Sequence, residues 1–397
     1  MRRKAPIAPP NPFNFGSLAL DEAFTNREDE LAEILSSMRS GQDLLVYAPR
    51  RYGKSSLVLR AAHEAVAEGI LVGYCDLLRI TTKEKLAAAL AKTIYADIDT
   101  QTLERAADLF RGLRIRPTME LDPESGTFSF SFRASRRKTD IDDTIESLLE
   151  LLGKLAADRQ RRVVMILDEF QEIVDLDDRF PNLLRSVFQA QPEVCHVYLG
   201  SKRHVLDRIF NDENQPFWRS AKRLEIPVIE PSKFGRFIRV RFQDTGKEIG
   251  DSALTRLLEA TGGHPYATQE LAFEVWETVA PEHQAREIDV EVALERVVRS
   301  ENNHLEKLWE DASAAQRQLM VALSTEPTSA PYSEDYRGTF ELPSASTVQA
   351  ALIGLERKEL VGRREGVLKI TEPFLADWIN REQRPPSFRA QLRLQDS

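Results

Sequence analysis

The amino-acid sequence predicts an α/β protein, in which a three-layer αβα domain with a parallel sheet is followed by two smaller units. Short apolar runs, typical of strands buried on both faces, alternate with helical patterns between residues 44 and 228. From residue 231 to about residue 299 the pattern is all-helical. From about 304 to 380, two helical patterns precede a short hairpin at 361–370, which predicts a winged helix.

Length and composition are those of an ordinary globular protein of two or three domains. The 397 residues are 42% hydrophobic and 29% charged, and no apolar run approaches the roughly 18 residues of a membrane span. A net charge of −9 argues against nucleic-acid binding over the whole protein surface. It does not argue against a single local basic patch. The basic N-terminus lacks the apolar core of a signal peptide, and Cys75 and Cys195 lie in predicted strands. We therefore expect a cytoplasmic protein with reduced, buried cysteines, no membrane segment and no Cys/His metal cluster.

The elements of the α/β domain follow one another in a regular order. A capping box formed by Thr25 and Glu28 predicts a first helix that ends at Gly41. Strands are predicted at 44–47, 70–75, 163–167, 194–199 and 224–228, with helical patterns at 54–68, 82–112 and 142–157. The expected domains are an extended arm at 1–23, the α/β domain at 24–229 with an inserted hairpin or flap at 113–138, a helical lid at 230–303, the winged helix at 304–380 and a flexible tail at 381–397.

The first strand and the helix after it carry the pattern of a phosphate-binding loop. The chain breaks at Pro49, turns at Gly53, and enters a helix at Lys54 and Ser55. A helix N-terminus has unpaired N–H groups and about half a positive charge, so a triphosphate can bind there. Gly53 permits close backbone approach, Lys54 would reach the β- and γ-phosphates, and the Ser55 hydroxyl would hold Mg²⁺.

The pattern departs from G-x-x-x-x-G-K-[ST] at one position, because Ala48 stands where the first Gly belongs. An ordinary strand–turn–helix is therefore the alternative for this stretch taken alone. The residues predicted to contact the nucleotide here are Ala48, Pro49, Arg50, Arg51, Tyr52, Gly53, Lys54, Ser55 and Ser56.

A second signal lies at the end of the strand at 163–167. Its apolar run ends in Asp168 and Glu169, at the strand end where open α/β sheets place their ligands. Asp168 can hold Mg²⁺, directly or through water, and Glu169 can orient and deprotonate an attacking water. The alternative is a strand that ends in a polar turn. The acidic pair nevertheless follows the phosphate-binding loop along the chain, which is the order in which the two parts of a nucleotide site are expected.

Three further polar residues are weaker candidates. The strand at 194–199 is expected beside Asp168 in the sheet, so Ser201 or Arg203 could contact the γ-phosphate. Arg219, in the polar loop before the last strand, could reach a neighbouring subunit's nucleotide. An ordinary polar helix start and a solvated arginine are the respective alternatives.

Two aromatic segments remain open to two interpretations each. Phe13 and Phe15 either pack on a domain or flank an adenine. In the insertion, Phe128, Phe130 and Phe132 alternate with polar residues, so they either pack locally or contact a partner.

These motifs together resemble the archaeal-type P-loop ATPases of the STAND/AAA+ group, relatives of the origin-recognition ATPases. Residues 48–56 are similar to the Walker A loop of that group, and residues 166–171 are similar to its Walker B motif. Residues 200–203 resemble its sensor-1 region, and residues 216–219 resemble the segment that carries its arginine finger. Residues 371–378 resemble the end of its winged helix. Residues 11–13 and 25–28 resemble its opening segment, and 262–265 resemble the turn of its helical lid. Trp218 stands where a Gly is usual before the finger arginine. The resemblance implies ATP and Mg²⁺ as cofactors and places Pro265 of the lid near the nucleotide.

The sequence therefore predicts an ATP-binding, Mg²⁺-dependent ATP-hydrolysing switch in which Lys54, Glu169, Arg203 and Arg219 act on the reaction. Its target stays open between two classes. Double-stranded DNA could contact the winged helix through Arg357, Lys358, Arg363 and Arg364. The positive charge of this patch is reduced by three nearby carboxylates, those of Glu356, Glu359 and Glu365. The alternative is therefore a signalling or defence-type protein with slow or no turnover, in which the winged helix binds protein. A homo-oligomer is compatible with either.

Overall fold

The computed structural model describes residues 10–16, 27–95, 113, 117–121, 128–132, 138–177 and 179–383. This part of the chain forms two compact units. One contains residues 27–227, and the other combines residues 10–16 with the chain from residue 228 onward. Among the described residues, every helix is too short or too polar to cross a membrane.

The N-terminal unit alternates strands and helices. Its helices are α1 (Glu28–Ser40), α2 (Lys54–Ala67), α3 (Lys83–Thr93), α4 (Lys138–Arg159), α5 (Phe180–Gln189) and α6 (Arg203–Asn211), and a 3-10 helix spans Phe170–Asp175. Its strands are β1 (Leu44–Tyr47), β2 (Leu71–Asp76), β3 (Thr118–Leu121), β4 (Phe128–Ser131), β5 (Val163–Asp168), β6 (Val194–Gly200) and β7 (Lys222–Glu225).

Five of these strands form one sheet in the order β2-β5-β6-β1-β7, and every neighbouring pair is parallel. Every residue of β1, β5 and β6 is buried, as expected for strands covered by helices on both faces. The predicted α/β fold with a parallel sheet is therefore confirmed. Because all five strands run the same way, the loops that follow β1, β5 and β6 lie at one edge of the sheet.

The insertion contains an antiparallel hairpin, β3 with β4. Phe130 and Phe132 are buried in the core of the N-terminal unit, and the Phe130 ring lies 5.5 Å from that of Tyr95. Local packing is thus confirmed for these two phenylalanines, while the side chain of Phe128 lies outside the described part.

The C-terminal unit is mainly helical. Its helices are α7 (Pro231–Asp244), α8 (Asp251–Thr261), α9 (Pro265–Thr278), α10 (Glu287–Ser300), α11 (Asn302–Glu310), α12 (Ala314–Thr325), α13 (Glu334–Thr339), α14 (Ala345–Arg357) and α15 (Leu375–Trp378), which a π-helical turn extends over Ile379–Gln383. The short strands β8 (Glu248–Ile249) and β9 (Gln284–Ala285) pair with each other, and β10 (Val361–Arg364) pairs with β11 (Val367–Ile370) as the hairpin of the winged helix. One hydrophobic core runs through both the helical segment and the winged helix.

The aromatic residues of the arm belong to this core. Phe13 is buried, with its ring 5.5 Å from Phe242 and 6.3 Å from Phe237. Phe15 contacts Tyr266 and Phe273 edge to face. The packing interpretation of these two residues is therefore the correct one.

Several element boundaries differ from the prediction. Helix α1 begins at Glu28 behind Arg27, whose φ of 101° is left-handed, and the predicted cap at Thr25 lies outside the described residues. The last strand of the sheet starts two residues earlier than predicted, at Lys222. The helical pattern at 304–323 is two helices separated at 311–313, and α13 was missed because six residues are too few to show a period.

Candidate functional site

The loop between β1 and α2 is shaped by two residues in the left-handed backbone region. Arg51 has a φ of 66° and Gly53 a φ of 82°. A Cβ on Gly53 would meet nothing within 4 Å, so backbone conformation and not space requires glycine there. The N–H of Leu57 donates to the Gly53 carbonyl at 3.0 Å, and α2 thus starts directly behind the loop.

The first turn of α2 concentrates positive charge. Lys54 is its first residue and is only 6% exposed, so its ammonium group is held close to the protein surface rather than extended into solvent. The first N–H groups of a helix have no acceptor inside the helix, and the helix dipole adds to their partial charge. This arrangement suits a polyphosphate.

Asp168, the last residue of β5, joins this turn to the sheet edge. The Ser55 hydroxyl donates to Oδ2 of Asp168 at 2.8 Å, and the Tyr74 hydroxyl donates to the same oxygen at 2.5 Å. The backbone N–H of Glu169 donates to Oδ1 at 2.8 Å. Burial, and then the hydrogen bond to Asp168, raise the pKa of the Tyr74 hydroxyl far above its ordinary value. The carboxylate is therefore buried and held by three donors.

Glu169 follows in the left-handed conformation, with a φ of 52°, and turns the chain from β5 into the 3-10 helix. Its Oε2 accepts hydrogen bonds from the Ser201 hydroxyl at 2.9 Å and from the amide of Gln171. Gln171 is 1% exposed, so it cannot turn away without leaving its own polar atoms buried. The structure brings Ser55, Asp168, Glu169 and Ser201 together, as the sequence predicts for neighbouring strand ends.

Arg203, at the start of α6, lies away from this cluster. Its side chain is 60% exposed and pairs with Glu225 at 3.3 Å and with Asp207 at 3.8 Å. Its guanidinium also lies over the Tyr47 ring, 5.5 Å from the centroid. The described contacts of Arg203 are thus with its own helix, with β1 and with β7, and not with Asp168 or Glu169.

The comparisons with known proteins agree with this geometry. A family model described as an ATPase domain predominantly from Archaea matches residues 24–271, more than half of the chain. The chain belongs to this ATPase family. A second model, a probable winged helix domain, matches residues 303–381. The protein is therefore a P-loop ATPase domain with a C-terminal winged helix.

Solved structures share the fold at low sequence identity. The Walker-type ATPase of Pyrococcus abyssi is 16% identical, with a TM-score of 0.62 over 91% of this chain and 97% of that one. The ORC1 protein of Aeropyrum pernix, solved in complex with DNA, is 14% identical, with a TM-score of 0.46 over 94% and 95% of the two chains.

One curated relative is much longer than the matched region. An uncharacterized WD repeat-containing protein of Synechocystis is 25% identical over 285 residues, which cover 69% of this chain and 21% of the relative. This chain therefore spans only about a fifth of that relative's length.

The two remaining candidates are Arg219 and Pro265. Arg219 is exposed, has a φ of 50°, and lies 4.9 Å from the ring centroid of the exposed Trp218. Pro265 belongs to the C-terminal unit, where it starts α9 behind the left-handed glycines Gly262 and Gly263. Their assignments to the nucleotide stay predictions.

Sequence reasoning did not single out three residues around the candidate site. Tyr74 and Gln171 donate to Asp168 and Glu169, but no motif marks them. Arg27 is buried, pairs with Glu30 at 3.1 Å, and interacts electrostatically with Tyr52 of the P-loop. Burial lowers the pKa of its guanidinium, and Nη2 has no hydrogen-bond partner among the described residues. A hydrophobic pattern read along the chain cannot find such residues, because it reports neither the burial of a polar side chain nor the partner that the side chain meets in the fold.

The oxygen atoms present fit Mg²⁺. Hydroxyl and carboxylate oxygens are the ligands this ion prefers, and those of Ser55 and Asp168 lie 2.8 Å apart. Among the described residues, no three His, Cys, Asp or Glu side chains form a closed metal site. The protein would thus supply two ligands and leave the others to water and phosphate, which is usual for Mg²⁺ at nucleotide sites.

Proposed function

We propose that this chain binds ATP with Mg²⁺, hydrolyses it, and uses its nucleotide state as a switch. The observation that carries the proposal is the hydrogen bond of Ser55 to Asp168, with Glu169 beside them. It joins the P-loop helix to the Walker B strand at the edge of a parallel sheet where nucleotides bind in such folds.

Each residue has a separate task in this reaction. Lys54 and the N-terminus of α2 hold the phosphates, while Ser55 and Asp168 hold the metal. The metal neutralises charge on the β- and γ-phosphate oxygens when it is bound. Glu169 orients the attacking water and accepts its proton. Ser201 and Gln171 hold the Glu169 carboxylate and so determine where that water is placed.

Single substitutions separate binding from turnover. We expect Glu169→Gln to bind a fluorescent ATP analogue normally but to release phosphate about 10²–10⁴-fold more slowly, because the base is lost. Lys54→Ala should abolish binding. Glu150→Gln is the matched control, since this exposed carboxylate of α4 pairs with Lys154 at 3.5 Å and has no task in the reaction. Phosphate release at the wild-type rate by Glu169→Gln would refute turnover at this site.

Arg219 suits a contact between subunits. Its side chain is exposed and stacked on Trp218, so it is presented outward rather than toward its own Walker motifs. We propose that it completes the site of a second copy as an arginine finger, which is worth about 10³-fold or more in rate. Turnover per subunit should then rise with protein concentration, and this rise should disappear in Arg219→Ala. A wild-type rate that is independent of concentration would exclude the finger.

The winged helix fits a protein partner better than DNA. Lys358 donates to the Asp311 carbonyl and Arg364 to the Gly262 carbonyl, each at 2.6 Å, and Arg363 donates to the Gly366 carbonyl at 3.2 Å. Three of the four residues of the predicted basic patch are therefore engaged within their own unit. The exposed face of α14 is uncharged up to Glu356 and carries Ile353 with 51% of its surface exposed. A helix that presents an aliphatic side chain and few cations lacks the phosphate contacts on which DNA affinity depends.

A DNA titration decides between the two targets. We expect labelled duplex DNA to show no change in fluorescence anisotropy with the ATP-bound protein at low salt. Binding that weakens steeply with added salt would overturn the protein-target proposal in favour of DNA.

A further inference from the structure

Tyr74 is a residue of the site to which no motif assigns a role. It lies on β2, directly opposite Ile166 of β5, and its side chain reaches along the sheet to Asp168 at the strand end. We infer that Tyr74 is the positioning residue of the metal ligand: its hydroxyl holds the Asp168 carboxylate in the orientation that binds Mg²⁺. This inference rests on the proposed Mg²⁺-ATP function.

The hydrogen bonds of the Asp168 carboxylate occupy most of its lone-pair positions, and Tyr74 provides one of these bonds. A carboxylate has about four lone-pair positions. Ser55 and Tyr74 occupy Oδ2, and the Glu169 N–H occupies one position on Oδ1. One outward position on Oδ1 is thus left for the metal or a metal-bound water, and the three donors together prevent the carboxylate from rotating.

The three donors are not equivalent. Ser55 is itself a proposed metal ligand, so its hydroxyl serves two partners once the metal is bound. The Glu169 N–H is part of a left-handed turn and moves only with the backbone. Among the described contacts of Asp168, Tyr74 is the side-chain donor that takes no part in binding the metal. It can therefore hold the carboxylate in both the metal-free and the metal-bound protein.

The tyrosine is itself anchored. It lies in the interior of β2, where the sheet pairing with β5 sets its position, and the Thr93 hydroxyl of α3 donates to its carbonyl at 3.1 Å. The phenol donates to a carboxylate oxygen, and hydrogen bonds to ionised acceptors are the stronger ones in proteins. A donor so placed orients a metal ligand from outside the coordination shell, and the loss of such a partner typically lowers metal affinity about 10–100-fold.

The test measures Mg²⁺ affinity rather than turnover. A fluorescent ADP analogue is bound to the protein in EDTA, which gives the metal-free affinity, and Mg²⁺ is then titrated in. Tyr74→Phe removes only the hydroxyl, and we expect the Mg²⁺ concentration at half-effect to rise about 10–100-fold while the affinity in EDTA is unchanged. Tyr336→Phe is the matched control, because it removes a hydroxyl that donates to the Glu326 carbonyl at 2.8 Å in the other unit. It should alter neither quantity.

A double variant tests whether Tyr74 acts through Asp168. In an Asp168→Asn background, Tyr74→Phe should raise the Mg²⁺ requirement no further, because the carboxylate that it orients is absent. An additional rise there, or a wild-type Mg²⁺ requirement in the Tyr74→Phe single variant, would overturn the inference while leaving ATP binding intact. Equal losses with and without Mg²⁺ would also overturn it, since they would indicate a general effect on the fold. A wild-type chain that binds ADP neither with nor without Mg²⁺ would overturn the proposed function and this inference with it.

Discussion

Gly200, the last residue of β6, lies at a tightly packed point of the sheet edge. It is paired with Tyr47 of β1, and its carbonyl accepts the Ala48 N–H at the start of the P-loop. A Cβ at this position would lie 2.7 Å from Cδ1 of Leu206 and closer still to the side-chain oxygen of Gln171. Gly200→Ala is therefore an overpacking substitution at the point where the site meets the core.

The size of the expected loss in stability depends on which side chains must move to make room for the methyl group. Forcing a methyl group into a packed interior costs about 1–3 kcal/mol. Gln171 cannot give way freely, because its amide donates to Glu169, and a hydrogen bond to a charged group contributes about 1.5–3 kcal/mol. We expect the free energy of unfolding of the N-terminal unit to fall by about 2–3 kcal/mol, which for a unit of this size lowers its melting temperature by roughly 4–12 °C. Phosphate release should also slow, since Glu169 loses a donor.

Differential scanning calorimetry of the full chain measures this loss, and Gly338→Ala is the control. Gly338 lies in α13, and a Cβ there would meet nothing within 4 Å. The same substitution should thus be neutral or stabilise the C-terminal unit by about 0.5–1 kcal/mol, because alanine is the better helix former. If Gly200→Ala melted at the wild-type temperature, the packing described around Gln171 and Leu206 would be wrong.

Three further predictions concern the loop, the arm and the thiols. Gly53→Ala should destabilise the N-terminal unit by about 1–2 kcal/mol through its φ of 82° alone and weaken ADP binding; a calorimetric loss above that range would point to a steric clash instead. Phe13→Ala should destabilise the C-terminal unit by about 3–5 kcal/mol and leave the other calorimetric transition in place, whereas an unchanged C-terminal transition would contradict the burial of Phe13. Burial raises the pKa of the Cys195 thiol to about 12, and Cys75 is equally buried. Neither thiol should therefore react with a chromogenic disulfide reagent near neutral pH until urea is added, and labelling of the native protein would refute this.

The two halves of the candidate site could be predicted because each is a local pattern. Gly53 to Ser55 begin a helix directly after a buried strand, and Asp168 with Glu169 ends another. Such patterns depend on chain geometry over a few residues, which sequence spacing reports directly. Arg203 carries an equally local signal, yet its described partners are Glu225 and Asp207. A position at a strand end does not determine which way a long side chain turns.

The contacts between the halves could not be predicted. Ser55 and Asp168 are 113 residues apart, and Tyr74 and Asp168 are 94 residues apart. In each case a donor meets its acceptor only because separate strands and a helix have packed side by side. Gln171 shows the same limit, since nothing in the sequence distinguishes it from a surface glutamine until its 1% exposure is known.

By itself, the sequence determined the class of the fold, the direction of the main strands and the chemical groups at their ends. Buried strands and helix starts depend on the polarity and conformational preferences of residues that are neighbours in the sequence, so a short stretch of sequence is enough to predict them. The sequence predicted that β6 lies beside β5, but only the tertiary structure decided the full strand order β2-β5-β6-β1-β7, which puts Ser201 between the P-loop and Glu169. Uniformly apolar strands fit many neighbours equally well, so the choice among them comes from the packing of the whole domain.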